Sequence, residues 1–184
     1  MVSGTNTDGE GFIASLRHAY PAFDLRNKTA VFIGAGGAAK AIIGSLLDEG
    51  VNKIGIINRT RGRIHDLQVQ FGSSVYEISE TNDALKSCGL LVNTTSQGME
   101  GQPSLELEIQ SLNPNALVAD IVYTPLETAF LAKARRRGNP VLGGLGMLLH
   151  QAVRGFELWF GVKPEVTAEL YDWIAADVQK AHKQ

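Results

Sequence analysis

VFIGAGGAAKA, residues 31–41, reads as a buried strand, a tight turn and the first turn of a helix. The apolar run Val31, Phe32, Ile33 makes the strand, Gly34, Gly36 and Gly37 break it, and Ala38 and Ala39 restart the chain as helix. The spacing Gly34-x-Gly36-x-x-Ala39 is the dinucleotide-binding fingerprint with alanine in the third place. Gly34 permits the turn, Gly36 lets backbone approach a pyrophosphate closely, and Ala39 lets the helix pack tightly on the strand. Ala35, Gly37 and Ala38 complete a cradle in which phosphates rest on free N–H groups at the positive end of a helix. Glycines also punctuate strand-to-helix turns that hold no ligand, so the surroundings must decide.

Outward from that stretch, strands alternate with helices. The pattern predicts strands at Thr29–Ile33, Lys53–Ile57, Ser74–Glu77, Leu90–Asn93, Leu117–Val122 and Pro140–Leu142. Helices fall between them, from the glycines to Asp48 and at Gly62–Phe71, Asn82–Ser87 and Pro125–Arg137. Such βαβ alternation implies an α/β fold whose parallel sheet is covered on both faces. Six strands suit the doubly wound, Rossmann order 3-2-1-4-5-6. An extra helix, Glu10–Ala19, precedes the first strand, with Phe12, Ile13 and Leu16 as its apolar stripe and Asp8 placed to cap it. Two more helices close the chain: Leu145–Phe160, and one beginning after Pro164 with Val166, Leu170, Trp173, Ile174 and Val178 on one stripe.

Composition excludes several classes. The 184 residues carry a formal net charge of −2 and are 44% apolar, which fits an ordinary globular chain and not a nucleic-acid binder with a basic face. The single cysteine, Cys88, rules out a disulfide framework and a cysteine-rich metal site, and reads as core. His18, His65, His150 and His182 have no metal-ligand spacing, so no metal is expected. Arg135 to Arg137 read as favourable charges at a helix C-terminus. No basic-then-apolar leader follows Met1, and no apolar run approaches the ~18 residues of a membrane span. A soluble, cytoplasmic protein with no membrane partner is the expectation.

The second strand indicates which dinucleotide. An acidic residue about 20 positions after the glycines would chelate the ribose hydroxyls of NAD. Here that position is Asn58, followed by Arg59, Thr60, Arg61 and Arg63. A carboxylate would repel a 2′-phosphate, whereas guanidinium groups offer it charge-assisted, bidentate hydrogen bonds. Cations are unfavourable at a helix N-terminus, so three arginines there call for an anionic ligand. NADP is the expected cofactor, held at Asn58, Arg59, Thr60 and Arg63.

These stretches, with four others, resemble shikimate dehydrogenase over nearly the whole chain. Asn6 to Phe12 (NTDGEGF) resembles that family's NTDxxG signature, and Val92 to Met99 (VNTTSQGM) its N-[AT]-T-x-x-G-M stretch. Asp120 to Gly138 resembles the DxxYxPxxTxxLxxAxxxG element, and Gly144 to Gly161 the GxxMLxxQAxxxFxxWxG closing motif. The resemblance implies reversible, NADP-linked reduction of 3-dehydroshikimate to shikimate, on the route to chorismate and the aromatic amino acids. It also implies that Asp8 manages a substrate proton and that Tyr123 and Gln151 border the substrate. Asn93, Thr94, Thr95, Val122, Gly144 and Met147 would lie along the cofactor.

On general grounds Asp8 also reads as a helix cap, Tyr123 as an aromatic packed under a loop, Gln151 as a solvated helix position and Met147 as core. His150 has no counterpart in the family motif and reads as a surface residue.

The family begins with a substrate domain that supplies a catalytic lysine. The 184 residues are therefore expected to be the cofactor-binding domain, with residues 1–20 and 162–184 as helices that connect to an N-terminal domain absent from this sequence. Catalysis by this chain alone is not expected. Apolar stripes on the first and last helices should be partly exposed toward that domain, a patch that invites self-association. Two alternatives stand beside this reading: a quinate/shikimate dehydrogenase of relaxed specificity, and a non-catalytic NADP-binding or sensing module.

Overall fold

The computed structural model describes residues 4–181; His182 and the residues flanking that range lie outside it. The elements run α1 (Asp8–Ala19), β1 (Thr29–Ile33), α2 (Gly37–Asp48), β2 (Lys53–Ile57), α3 (Arg61–Phe71), β3 (Val75–Glu77), α4 (Thr81–Ser87) and β4 (Leu90–Asn93). They continue with β5 (Leu117–Asp120), α5 (Ala129–Arg136), β6 (Val141–Leu142), α6 (Gly144–Phe160) and α7 (Ala168–Ala181). The six strands form one parallel sheet in the expected order β3-β2-β1-β4-β5-β6.

Side chains alternate across the sheet and fill two cores. Ala30 and Phe32 face one core with α1, α2 and α3, where Phe12, Leu16, Ile42, Ile43 and Leu67 are buried. Val31 and Ile33 face the other with α4 and α5, where Leu85, Cys88, Phe130 and Leu131 are buried. Register brings four strand ends level: Ile33 pairs with Ile57 on one side and with Asn93 on the other, and Asn93 pairs with Asp120. Ligands of doubly wound sheets bind along this carboxyl edge, where the strand order reverses. Among the described residues no helix is long and apolar enough to cross a membrane.

Several boundaries differ from the sequence expectation. α1 begins at Asp8, with Thr7 at the N-cap, so Asp8 lies in the first helical turn and does not cap it. Its backbone N–H donates instead to Asn6 Oδ1 at 2.8 Å. β5 stops at Asp120 and not Val122, because the Asp120 carboxylate accepts the Val122 N–H and turns the chain out of the ladder. α5 starts at Ala129 and not at Pro125, since Thr128 caps it by accepting the Leu131 N–H. α7 starts at Ala168, which leaves Val166 in the preceding segment.

α1 is not partly exposed on its apolar side. Phe12, Ile13 and Leu16 are all buried, because α1 lies in the notch between α2 and α6. Exposed apolar surface collects on the second half of α6 and on α7, at Phe156, Leu158, Trp159, Phe160 and Trp173.

Candidate cofactor and substrate site

The glycine turn is tightly specified at one position and bare at the next two. Gly34 has φ +101°, and a Cβ there would stand 2.8 Å from Thr95 Cγ2 and 2.9 Å from Thr94 Oγ1. A side chain at Gly34 is thus excluded by conformation and by the β4 loop. Gly36 is different: its φ of −94° suits any residue, and nothing lies within 4 Å of a Cβ built on it or on Gly37. The fold makes no demand for glycine at these two places. A ligand lying against the backbone would, so the empty space over Gly36 and Gly37 fits a pyrophosphate at the head of α2. Gly36 is the N-cap of α2, whose first turn carries no acidic residue, and Ala39 is fully buried against the sheet.

A cavity of ≈ 420 Å³ opens beside this turn, lined by Ala35, Gly36, Gly37, Lys40, Arg63 and Asp66 among others. Arg63 belongs to the first turn of α3, which has no acidic residue there either. Arg61 leans away to Glu77 at 3.2 Å. The side chains of Arg59, Arg63 and Lys40 make no hydrogen bond or ion pair among the described residues, so their charge is available to an anion. Asn58 Nδ2 donates to Thr60 O at 2.8 Å and shapes the loop that carries Arg59. The residues present therefore fit a 2′-phosphorylated dinucleotide.

At the ends of β4 and β5 the side chains turn inward. Asn93 is fully buried, and its amide donates to Gln97 O at 3.1 Å and Asp120 Oδ1 at 3.0 Å. Its Oδ1 accepts from the Thr95 N–H and the Thr95 hydroxyl. Thr94 Oγ1 donates to Ile33 O at 2.9 Å. What Asn93 and Thr94 can give a cofactor is the placement of their loop, not a free side-chain group. Val122 is likewise buried, and its carbonyl accepts the Gly144 N–H at 3.2 Å, joining the β5 end to the start of α6. Met147 is a member of the first core.

Asp120 and Thr128 fall on the fixed D and T of the element quoted above, but the sequence reading gave neither a site role. The Asp120 carboxylate accepts from Asn93 Nδ2, from the Val122 N–H and from Thr128 Oγ1 at 2.7 Å. Burial pushes this carboxyl up to about 6, against the three hydrogen bonds that favour its charge. An aspartate at a strand end followed by a threonine cap was the available signal.

The candidate substrate residues come from α1, α6 and the β5 loop. Gly9 packs its backbone against Ala41 and Ser45 of α2, and Gly11 packs against Gln151 of α6. Asp8 lies within one turn of both glycines, at the start of α1. Asp8, Gln151 and Tyr123 have side chains without a hydrogen-bond partner among the described residues, and Tyr123 is 37% exposed. His150 is partly buried, with its ring 5.4 Å from that of His18, and burial followed by the neighbouring His18 pushes its pKa down. The two histidines line a separate hollow of ≈ 370 Å³, bounded by none of the residues expected to hold cofactor or substrate. Arg137 braces a loop instead of the helix end, donating to Gln110 O and Leu112 O.

The family model described as "Shikimate / quinate 5-dehydrogenase" matches residues 17–121, and "Shikimate 5'-dehydrogenase C-terminal domain" matches residues 144–168. A shikimate dehydrogenase (NADP(+)) of Rhodopseudomonas palustris strain HaA2 is 53% identical over 180 residues, which cover 97% of this chain and 64% of that protein. The Rhizobium etli enzyme of the same name is 46% identical and is matched over 63% of its length. Among solved structures, quinate dehydrogenase from Corynebacterium glutamicum in complex with NAD superposes with a TM-score of 0.83 at 29% identity, covering 94% of this chain and 63% of that one. Shikimate 5-dehydrogenase from Thermus thermophilus in complex with NADP(H) and shikimate gives 0.79 at 30% identity, covering 97% and 63%. The chain thus spans just under two thirds of the length of these relatives.

Proposed function

This chain belongs to the shikimate dehydrogenase family, and from that premise we propose that it forms the NADP-binding portion of an NADP-dependent shikimate dehydrogenase. The observation that carries the reading is the pair of bare backbone positions, Gly36 and Gly37, facing a cavity that Arg63 and Lys40 also line. Backbone N–H groups at the head of α2 take the pyrophosphate, and Arg59 and Arg63 take the 2′-phosphate. The cofactor, when bound, supplies hydride exchange with the alcohol carbon of shikimate. Asp8 handles the hydroxyl proton, which must leave as the carbon is oxidised. Tyr123 and Gln151 hydrogen-bond the substrate through their free polar groups.

The whole enzyme's substrate domain would meet this chain through its terminal helices, within residues 1–20 and 162–184. Relatives longer than this chain support that arrangement. The exposed Trp159, Phe160 and Trp173 support self-association of the chain on its own. A cytoplasmic location fits a biosynthetic role.

A second reading, a quinate/shikimate dehydrogenase of relaxed specificity, is favoured by the likeness to the Corynebacterium quinate dehydrogenase. The experiment is oxidation of shikimate and of quinate, with NADP+ and with NAD+, by this chain joined to the substrate domain of a longer relative. Turnover restricted to shikimate with NADP+ supports the first reading, and turnover of quinate supports the second. Binding of NADP+ without turnover of either leaves a cofactor-binding module.

A further inference from the structure

The loops at the ends of β4 and β5 carry Asn93, Thr94, Thr95 and Val122, which are expected to lie along the cofactor. In a doubly wound sheet each half of a dinucleotide lies over one half of the strands. With the 2′-phosphate at the β2 loop, the other nucleotide falls over β4 and β5. These loops have few ladder bonds left beyond Asn93 and Asp120, so their spacing needs another brace. Asp120 supplies one. It is only 2% exposed, and its two oxygens accept from three separate segments: the β4 end through Asn93 Nδ2, the β5 loop through the Val122 N–H and the α5 cap through Thr128 Oγ1. Asn93 in turn fixes the Thr95 backbone and hydroxyl, and Val122 holds the first residue of α6.

We propose that Asp120 is a positioning residue for the nicotinamide half of the site, its carboxylate setting the spacing between the β4 loop, the β5 loop and the start of α6. The assignment rests on the cofactor reading above. An ionised carboxylate is the one side chain here that accepts from all three donors at once. An amide of the same shape must turn its NH2 toward at least one of them, leaving a buried donor without a partner. Asp120 touches neither substrate nor cofactor in this account. It acts through Asn93, Val122 and Gly144.

The test compares two ligands on the 184-residue chain. NADPH spans both halves of the site, whereas 2′-phospho-ADP-ribose lacks the nicotinamide. Asp120→Asn should weaken NADPH about tenfold while leaving 2′-phospho-ADP-ribose within about twofold of the unaltered chain. Thr128→Ser, which keeps the hydroxyl donor, should retain NADPH affinity, and Thr128→Val should lose it as Asp120→Asn does. The threonine pair decides the matter if Asp120→Asn does not fold. Equal losses for both ligands, or no loss for NADPH, would overturn the assignment while the cofactor reading stands. Failure of the unaltered chain to bind NADPH overturns the cofactor reading itself.

Discussion

Gly11 of α1 rests directly on Gln151 of α6: a Cβ on the glycine would stand 2.6 Å from the Gln151 Cβ and 2.7 Å from its backbone nitrogen. Two helix backbones touch at this level, and the contact fixes how α1, which begins at Asp8, seats on α6. Gly11→Ala forces the helices apart and should cost about 1–3 kcal/mol. Gly155, also in α6, has nothing within 4 Å of its Cβ position. Gly155→Ala should therefore stabilise by about 0.5–1 kcal/mol, through helix propensity alone. Urea midpoints of the two variants should move in opposite directions.

The glycine turn should divide fold from binding. Gly36→Ala places a methyl in open space with an ordinary φ, so its melting temperature should match that of the unaltered chain. Its NADPH affinity should fall at least about tenfold, since the methyl occupies the place of a phosphate. Gly34→Ala should lower the melting temperature as well, because of its positive φ and the contacts with Thr94 and Thr95. An NADPH affinity unchanged in Gly36→Ala would contradict the cradle.

Asp120 should leave a mark on the pH dependence of stability. Its folded-state carboxyl is raised from the ordinary 3.8 to about 6 by burial. Between those values the folded chain holds a proton that the unfolded chain releases, so this group's contribution to stability falls as pH rises through that window. The full change is about 3 kcal/mol. Asp120→Asn lacks the group, so the unaltered chain should lose stability relative to the variant between about pH 4 and about pH 6.5. Denaturant midpoints measured for both proteins across that range check the sign.

The aromatic face of α6 and α7 should drive association of the chain. Trp159 and Trp173 are 79% and 72% exposed. Sedimentation velocity should show a sedimentation coefficient that rises with concentration, and Trp159→Glu should suppress the rise. A strict monomer at all concentrations would remove the association from the account.

The sheet order was legible because each strand is a short apolar run bounded by glycine or polar residues, as Val31 to Gly34 is. Three features were hidden for separate physical reasons. The burial of α1 depends on Gly9 and Gly11 meeting α2 and α6, whose contacting residues lie far along the sequence. The end of β5 depends on a side chain, Asp120, competing with the ladder for the Val122 N–H. The Asn93–Asp120–Thr128 network spans separations of 27 and 8 residues, and only pairing of β4 with β5 closes it. The proposed cofactor residues of the glycine turn and of Asn58 to Arg63 rest on a local motif. The substrate residues rested on resemblance, since a lone Asp8, Tyr123 or Gln151 has no local signature.

The central claim is that a 2′-phosphorylated dinucleotide lies between the head of α2 and the arginines that follow β2. Calorimetric titration of the chain with NADPH and with NADH tests it most directly. NADPH should bind more tightly, and Arg59→Ala should reduce NADPH affinity about ten- to a hundredfold while leaving NADH nearly unchanged. Equal affinity for the two cofactors, or an equal loss of both in Arg59→Ala, would contradict the account.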